Sequence, residues 1–204
     1  MQSNQNENRI LLRGTVETLP VLSHENHGIR YYMLPLAVRR LSGAEDRLNV
    51  IASEEQLRLL KVKAGDRLTV RGEVRTFNNR SGEGRRLIIS VHVQTLLPPT
   101  GDPCNTIRLT GRLCKPPILR RTPLGRSICD LMLAVPRRYG RTDYLPVIVW
   151  GRLAMDAAML PVSAPVGLEG RIQSREYTKV TEDGASQRTA YEVSVMQLTD
   201  AAET

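Results

Sequence analysis

Along most of the chain, apolar and polar residues alternate with a period of two over short runs. That period marks half-buried strands rather than helices. Ile10, Leu12, Gly14 and Val16 share one parity, as do Ile107, Leu109, Gly111 and Leu113 much later in the chain. Second strands place Leu34, Leu36, Val38 and Leu131, Leu133, Val135 inward, and third strands place Leu48, Val50 and Leu145, Val147, Val149 inward. The period then changes. Ser53-Glu54-Glu55-Gln56 reads as a capping box that opens a helix to about Leu60. Arg152 to Leu160 is its Ala-rich counterpart, stopped by Pro161. Fourth strands follow, with Leu68, Val70, Gly72, Val74 and Val166, Leu168, Gly170, Ile172 inward. Fifth strands run through Leu87, Ile89, Val91 and through Tyr191, Val193, Val195.

The element order occurs twice because the chain is a tandem duplication. At an offset of 97, positions 8–51 and 105–148 share 17 identities in 44. Gly14 meets Gly111, Arg40 meets Arg137, Asp46 meets Asp143, and Leu36-Ala37-Val38 meets Leu133-Ala134-Val135. Beyond the middle the offset becomes 98 and aligns Gly72 with Gly170. The expected organisation is a first copy over 1–97, a stiff linker over 98–104 containing Pro98, Pro99 and Pro103, and a second copy over 105–204. Three strands, one helix and two strands in ~90 residues is the order of the five-stranded Greek-key OB barrel. Small antiparallel sandwiches share part of that pattern. The expected class is all-β with one short helix per copy, as two tandem OB-fold barrels. The central glycines suit the bends of barrel closure.

The inward assignments fix the outward faces. On the third strand of the second copy these are Tyr144, Pro146, Ile148 and Trp150, the chain's single tryptophan. The fourth strand offers Glu169, Arg171, Gln173, Arg175 and then Tyr177, and the first offers Arg108 and Arg112. Rings interleaved with arginines can stack bases and neutralise phosphates; packing beneath a loop or at a subunit interface is the plainer reading of the same rings. The first copy has Arg47 and Ser53 where the second has Tyr144 and Trp150. Its candidates are Phe77, at the end of the fourth strand, and the arginines Arg71, Arg75, Arg80, Arg85 and Arg86. The loops Asn78 to Gly84 and Thr178 to Gln187 join fourth and fifth strands, and Arg120-Arg121 falls in the loop between first and second strands. In OB folds these loops flank the ligand groove.

Charge strengthens the case for a polyanionic partner. The formal net charge is +8, and all but four of the 29 basic residues are arginines, which can both fork onto phosphate and stack on bases. Catalysis and cofactors have little support. His24, His27 and His92 are scattered, and no phosphate-binding loop or nucleophile elbow occurs. No metal ligand set is expected either. Asp46 and Asp143 each open a third strand and read as turn-capping carboxylates. Three cysteines, a polar start from Met1 to Glu7, and no apolar run near ~20 residues lead us to expect a reduced, cytoplasmic protein without membrane contact.

Asn105-Thr106-Ile107-Arg108-Leu109-Thr110-Gly111-Arg112-Leu113, Leu133-Ala134-Val135-Pro136-Arg137-Arg138-Tyr139 and Thr142 to Ala154 resemble bacterial single-stranded DNA-binding proteins. Val166 to Tyr177 completes a match in the family's order, while the first copy matches more weakly through Asn8, Gly14, Leu36-Ala37-Val38 and Gly72. The resemblance implies OB barrels, base stacking on Tyr144, Trp150 and Tyr177, and a function in replication, recombination or repair. Arg137 and Arg138 join the candidate contacts. It also implies assemblies of four barrels, here a homodimer. Ending at Thr204 directly after the last strand, the sequence leads us to expect no acidic tail for recruiting replication partners. The alternatives are a primosome-like assembly protein that uses its barrels to hold other proteins, and an RNA-binding OB protein.

Overall fold

The computed structural model describes residues 7–78, 87–181 and 184–199. The first copy contains β1 (Asn8–Val16), β2 (Val21–Asn26), β3 (Ile29–Arg39), β4 (Glu45–Ser53), α1 (Glu54–Leu60), β5 (Arg67–Asn78) and β6 (Leu87–Leu97). The second contains β7 (Cys104–Leu113), β8 (Ile118–Arg121), β9 (Ser127–Pro136), β10 (Thr142–Trp150), α2 (Arg152–Ala158), β11 (Pro165–Thr181) and β12 (Gly184–Thr199).

Each copy closes five strands into an OB-fold ring. In the first, β1 pairs antiparallel with β5 from Ile10↔Gly72 to Thr15↔Arg67 and with β3 at Thr15↔Ala37 and Val16↔Leu36. Antiparallel β3–β4 and β5–β6 pairs continue the ring. A parallel contact of β4 with β6 at Val50↔Val91 and Ile51↔His92 completes it. The second ring repeats the scheme, its parallel contact lying at Val147↔Val193 and Ile148↔Ser194 between β10 and β12. Alternation set the core correctly: Leu12, Leu36, Val50 and Val74, and Leu109, Leu133, Val147 and Ile172, are all buried. Register shifts between Arg71 and Gly72, where β5 crosses the His92 carbonyl too closely to admit a Cβ. This is the close approach that a strand glycine permits.

Three local readings change. The segments between the first and second ring strands are not plain loops. They form the edge strands β2 and β8, each hairpinned to the next strand, so Arg120 and Arg121 stand on a strand. The predicted loop Thr178 to Gln187 is largely strand, since β11 runs to Thr181 and β12 starts at Gly184. Asp46 and Asp143 are not exposed turn caps but wholly buried carboxylates. Each accepts two N–H bonds from the guanidinium six residues earlier, Arg40 and Arg137 respectively. The hydrogen bond to Asp46 holds the Arg40 pKa above its ordinary value against the opposing effect of burial. A carboxylate removed from water requires such a charged partner.

By contacts the chain divides into two compact bodies. One comprises Arg9–Asn105 with Gln173–Tyr191; the other comprises Met1–Asn8, Thr106–Ile172 and Glu192–Thr204. The distal part of the β11–β12 hairpin therefore belongs with the first-copy strands. Within that body the Ser174 backbone N–H donates to Asp46 Oδ1 at 2.9 Å, and the Arg47 backbone N–H donates to Ser174 Oγ at 2.9 Å.

Candidate nucleic-acid interface

β10 positions the second copy's rings. Its pairing with β9 from Thr142↔Pro136 to Trp150↔Ile128 fixes Leu145, Val147 and Val149 in the core and turns Tyr144 and Trp150 outward. Tyr144 is 50% exposed and Trp150 38%. Six residue steps along the strand set them roughly 20 Å apart, so each ring offers its own stacking face. Pro146 between them is half-buried, and Ile148 is buried despite its outward parity.

A third ring escaped the pattern of strand parity. Tyr139 is 99% exposed in the short 3₁₀ turn Arg138–Gly140 that joins β9 to β10. The turn is closed by the Arg137 backbone N–H donating to the Arg141 carbonyl at 2.7 Å. Tyr139 itself has a φ of 65°, a left-handed conformation that costs a side-chain-bearing residue energy. The readable signal was Arg137-Arg138-Tyr139-Gly140-Arg141, a ring set among arginines in a turn.

The arginines fall into distinct environments. Arg137 grips Asp143 and is mostly covered, its side chain 13% exposed. Arg108 Nε donates to Glu169 at 2.9 Å, Arg112 donates to the Ser163 carbonyl at 3.0 Å, and Arg120 forks onto Asp130 at 2.5 and 3.1 Å. Arg121 and Arg138 are exposed. Arg171 is half-buried on β11, and its Nε is buried without a hydrogen-bond partner among the described residues. Exposed Arg175 and half-buried Tyr177 belong to the body that holds the first-copy strands, whereas Tyr144 and Trp150 belong to the other.

In the first copy, Arg71 is exposed on β5, and Arg75 pairs with Glu73 at 3.3 Å. Phe77 is 42% exposed, with its ring 5.7 Å from that of His92 and tilted by 44°. Arg80, Arg85 and Arg86 lie outside the described residues. Arg47 Nε donates to Glu17 Oε1 at 2.8 Å, and its Nη1 reaches Glu176 at 3.3 Å. The Glu17 hydrogen bond raises the Arg47 pKa further. Ser53 is the N-cap of α1, its hydroxyl accepting from the Gln56 N–H while the Gln56 side chain accepts from the Ser53 N–H. Among the described residues no cluster of three or more His, Cys, Asp and Glu side chains could hold a metal ion. No helix among them is long and apolar enough to cross a membrane.

Residues 104–199 match the model of the single-strand binding protein family. Single-stranded DNA-binding protein 2 of Listeria innocua is 38% identical over 80 residues, which are 36% of this chain and 50% of that protein. Single-stranded DNA-binding protein A of Bacillus subtilis is 35% identical over 80 residues, covering 36% of this chain and 46% of its own length. The chain spans about half the length of the curated relatives it matches. The crystal structure of the wild-type single-stranded DNA binding protein from Thermus aquaticus superposes with a TM-score of 0.77 at 23% identity, covering 97% of this chain and 94% of that one. That likeness extends the shared fold over both copies.

Proposed function

We propose, from the match of residues 104–199 to the single-strand binding protein family, that this chain is a member of that family and binds single-stranded DNA without regard to base sequence. It acts as a binding protein rather than an enzyme, in replication, recombination or repair. The observation that carries the reading is the pair Tyr144 and Trp150, large rings left half in solvent on one face of β10. Bases stack on such rings, and each stack contributes roughly 1–3 kcal/mol. Tyr139 and Tyr177 extend the ring set, while exposed Arg121, Arg138 and Arg175 meet phosphates. In the first copy Arg71 and Phe77 hold corresponding roles, with Arg80, Arg85 and Arg86 adding charge. The working halves are the copies 1–97 and 105–204 joined by 98–104, and two chains pair to present four barrels. Such a protein works in the cytoplasm, on exposed strands at the nucleoid.

Titration of Trp150 fluorescence with oligo-dT, oligo-rU and duplex DNA tests the reading. Strong quenching by oligo-dT, weaker quenching by oligo-rU and little by duplex is the expected order. Silence toward oligo-dT overturns it, and preference for oligo-rU replaces it with RNA binding.

A further inference from the structure

The first copy lacks rings on its third strand, yet it carries a ring pair elsewhere. β2 is an edge strand whose six residues are all exposed, joined to β3 through His27 and Gly28, both at positive φ. This is the turn chemistry of a tight two-residue hairpin. Pairing slips between Leu22 and His24, a bulge of the kind that re-aims a side chain. The slip sets His24 opposite Tyr31, and their rings stack with centroids 5.0 Å apart and planes 9° from parallel. Ser23 Oγ lies 3.1 Å from His24 Nδ1 and fixes the imidazole. The surrounding charges are already matched. Arg30 bridges to Glu54 at 2.8 Å, Glu25 is the cross-strand partner of Arg30, and the neighbouring Tyr32 hydroxyl reaches Glu54 at 3.4 Å. The equivalent hairpin of the second copy has Ile118, Leu119, Arg120 and Arg121 on its edge strand and no ring.

Resting on the single-strand reading above, we propose that the His24–Tyr31 pair is a base-stacking site of the first copy, taking one nucleobase of a bound single strand onto its exposed flat face. With Arg30 tied to Glu54, the contact is made by stacking and not by phosphate neutralisation. Removing it therefore lowers affinity without changing the salt dependence.

The test uses the full chain, with affinity read by anisotropy of a fluorescein-labelled oligo-dT and second-copy occupancy read separately by Trp150 quenching. Tyr31→Ala and, independently, His24→Ala are expected to weaken binding about tenfold at an unchanged slope of log affinity against log salt. Tyr31→Phe keeps the ring and is expected to bind as the parent does. Ultraviolet crosslinking to oligo-dT should also mark the tryptic peptide 14–30 or 31–39. Parent-like affinity of both alanine variants, or crosslinks confined to second-copy peptides while Trp150 is quenched, overturns the site but leaves the single-strand reading standing. A loss of melting temperature with no loss of affinity assigns the stack to hairpin stability alone and overturns it too. If Trp150 is silent, the broader reading fails instead, and a crosslink on these peptides still decides the hairpin by itself.

Discussion

β4 and β10 occupy the same place in the two copies and do different things at the same two positions. Where β10 exposes Tyr144, β4 has Arg47, tied to Glu17 and Glu176 by its side chain and to Ser174 by its backbone. Where β10 ends in Trp150, β4 ends in Ser53, which caps α1. The second copy gives up that cap. Its helix starts from Gly151 at a φ of 65° with no side-chain capping bond. A residue at this corner can cap the helix or offer a ring to solvent, but one side chain cannot do both. Meanwhile both copies keep the same buried Arg–Asp pair at the start of the strand. The ring system is shared and the outward chemistry has diverged.

Breaking the shared part should have the largest effect. Asp143→Ala leaves Arg137 mostly covered without its carboxylate, and Asp46→Ala does the same to Arg40. Each is expected to cost about 3–5 kcal/mol of stability, read from urea denaturation. A loss below about 1 kcal/mol in either copy would show that its arginine escapes to water and that the pair is no anchor.

The divergent part is sharpened by ring deletions. Trp150→Ala is expected to cost roughly 1–3 kcal/mol of oligo-dT binding. Phe77→Ala, whose ring packs near His92 and has no companion on β4, should cost less. Equal losses would mean that the copies share stacking evenly.

Smaller again is the contrast on the β8 edge. Arg121→Ala should lower the slope of log affinity against log salt by about 0.7, one phosphate contact. Arg120→Ala should change it less, because that guanidinium is already forked onto Asp130 and its pKa is raised by that bond. The reverse order would show that the strand displaces Asp130.

The faintest effect concerns Cys129, buried on β9, where desolvation pushes the thiol pKa up, helped by nearby Asp130. The reactive thiolate is thereby suppressed, so iodoacetamide should label half-buried Cys104 and Cys114 first in the native protein. Because the folded state favours the neutral thiol, its contribution to stability is complete below the unfolded thiol pKa and declines as pH rises past it.

Strand parity was enough to place Leu12, Leu36, Leu109 and Leu133 in two cores, since a face packed against a core must be apolar every second residue. It could not reveal β2 and β8, because strands exposed on both faces carry no alternation. Thr178 to Gln187 read as a loop for the same reason: its polar composition belongs to a long hairpin extending past the ring. Ile148 shows the opposite limit, since its outward parity did not prevent burial. Asp46 and Asp143 were visible as recurring positions, and so were Arg40 and Arg137, but capping one turn and bridging into a barrel look alike in one dimension. Tyr139 sits in a turn, beyond the reach of parity, and only its arginine neighbours marked it.

Each ring is fastened by its slightest joints. The parallel contact between β4 and β6 spans only two residue pairs, as does the antiparallel contact of β1 with β3, and the second copy repeats both, whereas β3 and β4 are paired from Tyr31↔Ser53 to Arg39↔Glu45. Backbone hydrogen bonds at so short a seam have few neighbours to hold them, so amide protons there exchange with solvent ahead of those along the long ladders. The barrel is thus a ring with two clasps: rigid along its staves, and opened and fastened where its ladders are shortest.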